Sequence, residues 1–67
     1  MNKQYISRRL KAAEKALRTY EPDMSAELTR EDAIDCISDI RHWCAHNGYS
    51  ISDILRLSEM HFNEESR

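Results

Sequence analysis

Apolar residues fall at Ile6, Leu10, Ala13, Leu17 and Tyr20, in steps of four, three, four and three. That spacing follows the 3.6-residue turn and predicts an amphipathic helix with a narrow apolar seam. Arg8, Lys11, Lys15 and Arg18 gather on the opposite face. Pro22 stops the helix, because its ring pushes the preceding residue out of the helical region. The first helix is thus expected over about residues 3–20. The connector EPDMSAEL follows, and its Met24 and Leu28 are expected to tuck beneath the core.

The apolar pattern resumes at Ala33, Ile34, Ile37, Ile40, Trp43 and Cys44, with Cys36 at the edge, and predicts a second helix over about 30–47. Thr29 and Asp32, three positions apart, supply a capping-box variant at its start. Gly48 stands where a left-handed residue ends a helix, and Tyr49 is placed to fold back on Cys44. Ser50 with Asp53 repeats the start signal for a third helix over about 51–64. Its inner stripe reads Ile51, Ile54, Leu55, Ser58 and Phe62, flanked by Leu57 and Met60. The fold class is therefore all-α, a small three-helix bundle in one domain spanning residues 1–67.

Length sharpens this picture. A chain of 67 residues lies near the lower limit for a self-supporting core. Such domains often recruit a disulfide, a metal or a second subunit. Cys36 and Cys44 lie eight residues apart on one helix, which separates their Cα atoms by about 12 Å. A disulfide needs about 4.4–6.8 Å, so buried free thiols in a reducing compartment are expected. No apolar run reaches the roughly 18 residues of a membrane span. The basic N-terminus lacks the apolar segment of a secretory signal, so a cytoplasmic location is expected.

Charge is unevenly spread. Residues 1–20 hold six basic side chains against Glu14 alone, a net of +5, whereas residues 21–67 hold eleven acids against four arginines, a net of −7. The basic face of the first helix could attract nucleic acid or face the chain's own acidic helices.

The segment RHWCAHNGYSIS, residues 41–52, holds the densest candidate chemistry. At about 100° per residue, His42 and His46 lie about 40° apart, while Cys44 points about 160–200° away into the apolar stripe. The residues that align with the histidines are Asp35 and Asp39, which makes Asp39, His42 and His46 the only metal candidates. Two histidines at this spacing still need further ligands, so the stripe reads foremost as a solvated face and no metal or other cofactor is expected. Cys44 and the histidines point apart, so they do not pair as nucleophile and base. With one glycine in the chain there is no phosphate-cradling loop. No catalytic residue is expected, and the protein is not expected to be an enzyme.

Residues 36–57 also invite comparison with a helix-turn-helix, whose second helix presents its N-terminal residues to base edges. The outward positions here are Ser52, Asp53, Arg56 and Glu59, of which only Arg56 favours a base. A DNA-binding regulator using this segment, or Arg8, Lys11, Lys15 and Arg18, is the alternative reading. A broader likeness runs through residues 29–67. Ile37, Asp39, Ile40, Arg41, His42 and Trp43, the turn at Gly48, then Ile54, Leu55 and Phe62 resemble a segment of small helical proteins from phages and integrated mobile elements. The resemblance implies a helical fold and a mobile-element setting, and no established activity.

Tyr5, Trp43, Tyr49, Met60 and Phe62 cannot all be buried in three short helices. Those left outside are candidate partner-binding anchors. For Trp43 and Phe62 the stronger competing expectation is that they complete the core. The favoured function is a non-enzymatic protein–protein interaction module, an adaptor, inhibitor or regulator that binds another protein or its own copy.

Overall fold

The computed structural model describes the backbone of residues 3–66 and the side chains of residues 6–66. It is all-α: α1 spans Lys3–Leu17, α2 spans Arg30–His46 and α3 spans Ile51–Glu65. The three-helix bundle expected from the apolar spacing is present, with α2 and α3 bounded within one residue of expectation. α1 ends three residues early. Its last turn tightens as Thr19 N–H bonds to Ala16 O at 3.2 Å and Tyr20 N–H to Leu17 O at 2.9 Å. Such i→i+3 bonds satisfy terminal carbonyls but take the chain off the α path.

What holds the chain off that path is Arg18. Its Nη1 lies 3.3 Å from Glu21 O, 2.9 Å from Asp23 O and 2.8 Å from Ala26 O. Asp23 Oδ1 in turn accepts from Ser25 N at 2.9 Å and Ser25 Oγ at 2.7 Å. These two bonds hold the Asp23 carboxyl below its usual range, with the Arg18 charge adding to the effect. The connector is therefore a turn organised by one guanidinium. Leu28 is half-buried as expected, but Met24 is 75% exposed and does not tuck beneath the core.

The capping signals also form. At the start of α2, Asp32 Oδ2 accepts from Thr29 N at 2.8 Å and from Thr29 Oγ1 at 3.2 Å, the acidic half of the capping box. Ser50 Oγ accepts from Asp53 N at 3.3 Å and starts α3. Between them, Gly48 takes φ +72°. Tyr49 N–H reaches Cys44 O at 2.9 Å and Gly48 N–H reaches Ala45 O at 3.3 Å, which is the Schellman pattern. Asn47 Nδ2 adds a bond to Trp43 O at 2.9 Å. The carbonyls of three consecutive residues at the end of α2 thus have partners.

Packing is far looser than local structure. α2 touches both neighbours, but no described residue of α1 has its Cα within 8 Å of one in α3. An ion pair joins them, Arg9 Nη2 to Glu65 Oε1 at 3.6 Å. The molecule measures 36 × 32 × 16 Å. Its radius of gyration is 13.7 Å, where a compact chain of this length has about 11 Å. Among the described residues only Cys44 is fully buried, at 1% exposure.

The reason lies in the width of the α2 stripe. At about 100° per residue its apolar positions span about 180° of the helix, wider than one neighbour covers. Ala33 and Cys36 are half-buried, while Ile34, Ile37, Ile40 and Trp43 remain exposed. α3 buries its stripe only near its start: Ile51 and Ile54 are half-buried, Leu55 and Phe62 exposed. α1 does the converse, with Leu17 half-buried and Ile6 and Leu10 exposed.

Candidate functional site

The candidate anchors can now be placed. Trp43 and Phe62, for which core positions were the stronger expectation, are 57% and 66% exposed. Neither completes a core, and among the described residues no Cα of α1 lies within 8 Å of one in α3. Met60 and Tyr49 are also exposed. Tyr5 belongs to α1, but its side chain lies outside those described.

Tyr49 does fold back along α2, and its ring meets that of Trp43. The ring centroids are 5.4 Å apart and tilted by 42°, an arrangement worth about 0.5–1.5 kcal/mol beyond area burial. The Schellman turn positions this pair: it brings Tyr49 beside the last turn of α2, where Trp43 projects. Tyr49 also lines a shallow groove of about 310 Å³ with Ser38, Arg41, His42, Ala45 and Ile51. The ring pair beside this open groove is a water-exposed apolar feature.

The Asp–His stripe is not assembled as a ligand set. Asp39 Oδ2 accepts from Tyr20 Oη at 2.8 Å, tying the turn after α1 to the middle of α2. Asp39 stays exposed on this face while it accepts that bond. Because α1 ends at Leu17, Tyr20 leaves the helical seam and reaches this carboxylate instead. The hydrogen bond, partial burial and the Asp39 charge push the Tyr20 phenol up to about 12. Among the described residues no three His, Cys, Asp or Glu side chains come together in a way that could hold a metal ion. His42 and His46 are exposed on α2.

The basic set divides as well. Arg8, Lys11 and Lys15 stand exposed on α1, and Lys11 and Lys15 line an open cleft with Glu14, Arg18 and Met24. Arg18 is occupied with loop carbonyls rather than presented outward. Arg56 Nη2 sits 3.9 Å from Asp53 Oδ1, so the one favoured base reader of α3 lies beside an acid. α2 is 17 residues long, above the ordinary helix length of about 11–12, where a helix-turn-helix opens on a short helix.

Cys36 and Cys44 are free thiols, the first half-buried and the second fully buried. Sequence reasoning missed Arg18 as a loop organiser and Tyr20 as the partner of Asp39. Among the described residues no helix is long and apolar enough to cross a membrane. Comparison with family models, with curated proteins and with solved structures found no match to this chain.

The largest feature of the surface is its excess. A compact protein of 7.9 kDa exposes about 4,400 Å², whereas this chain exposes 5937 Å². The difference of about 1,500 Å² is polar and apolar surface together, and exposed large apolar side chains on all three helices contribute to it.

Proposed function

We propose that this protein is a non-enzymatic, cytoplasmic interaction module that works by presenting its uncovered apolar surface to another protein chain. The observation that carries this reading is the exposure of apolar side chains on all three helices, including Leu10, Ile37, Trp43, Met60 and Phe62. Three short helices that fold with such a surface outside leave it for something else to cover. Aromatic residues dominate the energetics of protein interfaces, and the Trp43–Tyr49 pair is held in place by the turn before any partner arrives. Within this reading the role is that of an adaptor, inhibitor or regulator, in the phage or mobile-element setting that the likeness of residues 29–67 implies.

A tagged chain should retain a protein that resists nuclease treatment, and Trp43→Asp or Met60→Glu should release it while helicity is kept. Retention that disappears with nuclease and falls steeply with salt would instead favour DNA binding through Arg8, Lys11 and Lys15. With Arg18 engaged in the loop and Arg56 beside Asp53, that alternative has the weaker support.

A further inference from the structure

The uncovered surface has a definite place. α1 is tied to α2 at its C-terminal end through Tyr20 and Asp39, and α3 leaves α2 through the turn at Gly48. Arg9 and Glu65 bridge the far halves of α1 and α3, and among the described residues no Cα of one helix lies within 8 Å of the other across the mouth between them. Ile6 and Leu10 are exposed on one side of this mouth, and Phe62 continues the apolar stripe of α3 toward it.

We propose that a second copy of this chain closes the mouth, forming a two-fold dimer in which α1 of each chain lies against α3 of the other. This rests on the interaction-module reading and names its partner. Three observations converge on self-pairing.

Area comes first. Each chain exposes about 1,500 Å² beyond a compact fold, polar and apolar surface together, and two chains about 3,000 Å², which leaves room for the roughly 1,600 Å² of a standard stable interface.

Core content is the second. Among the described residues one is fully buried, little to set against the entropy of ordering the chain, so folding gains from a partner that is present whenever the chain is. A second copy is always present at the chain's own concentration, as in homodimers without a stable folded monomer.

Charge is the third, and it sets the arrangement. α1 carries five basic residues and one acid, whereas α3 carries four acids and one base. Helix α1 against its own copy would repel, and α3 against its own copy likewise. α1 against the other chain's α3 attracts, and a two-fold axis makes that contact twice. The Arg9–Glu65 pair already shows this attraction within one chain. In the dimer Ile6 and Leu10 meet Phe62 across the axis.

Sedimentation equilibrium of the purified chain, from micromolar to about 100 µM, should report twice 7.9 kDa, with a Tm that rises with concentration. Phe62→Glu and Leu10→Glu should each raise the dimer Kd about tenfold or more. Phe62→Ala reads the same contact without a charge should the glutamate variant unfold. A monomer at about 100 µM that stays helical, expanded and able to bind an apolar dye overturns self-pairing and leaves a different protein as the partner. A compact monomer near 11 Å that binds no dye overturns the interaction-module reading as well. A dimer indifferent to Phe62 and Leu10 overturns the proposed arrangement.

Discussion

At the residue scale, single side chains carry distinct jobs. Gly48 holds φ +72°, and no neighbouring atom lies within 4 Å of where a Cβ would stand, so only backbone strain opposes a larger residue. Gly48→Ala should therefore cost about 1 kcal/mol in thermal or denaturant unfolding and leave helix content unchanged. Tyr20 is a second case. Its pKa rises from 10.0 to about 12 chiefly because the phenol donates a hydrogen bond to Asp39. A raised folded pKa favours the protonated form, so this contribution is complete below pH 10 and lost as pH climbs from about 10 to about 12. In a tyrosine absorbance titration, Asp39→Asn should move one ionisation back toward 10, whereas an unchanged curve would refute the pairing. The residue-scale chemistry was only partly legible beforehand. The separation of His42 and His46 from Cys44 follows from helical angles alone. Tyr20 finding Asp39 does not, because it depends on α1 ending at Leu17.

At the scale of elements, the helices were legible because their signals are local. Thr29–Asp32, Ser50–Asp53 and Asn47–Gly48 act within a few residues, and each makes the bond its chemistry allows. The end of α1 was not legible, because Arg18 bonds carbonyls up to eight residues ahead and such acceptors leave no residue signature. Arg18→Ala should cost about 1.5–3 kcal/mol, the range for bonds involving a charged donor, and should loosen residues 18–26. Arg18→Lys should restore little of it, since an ammonium has a different reach and donor fan. Loss of less than a few tenths of a kcal/mol on truncation would show that Pro22 alone ends the helix. The thiols report on α2 as an element: a thiol reagent should modify Cys36 well before Cys44, since only Cys44 is sealed among neighbours. Equal rates would mean that α2 has no protected face.

At the scale of the molecule, the apolar pattern identified which faces seek cover but not what covers them. The stripes of α1 and α3 read like ordinary core seams, and the width of the α2 stripe suggests a helix covered from several sides. Whether three short helices can enclose that much apolar surface is a question of lengths and crossing directions, which spacing does not encode. The fold resolves it by leaving α1 and α3 apart and Phe62 outside. The candidate site was legible as a set of aromatic residues and not as a place, because a place exists only once the helices diverge. The central claim is that the mouth between α1 and α3 is an interface awaiting a protein surface. Amide hydrogen exchange across a protein concentration series tests it most directly, since it reads each helix separately. The account predicts that protection in the N-terminal half of α1 and the C-terminal half of α3 rises with concentration, while the turn at residues 18–26 stays constant. Protection in those two halves that is high and unchanged down to the most dilute sample would contradict it.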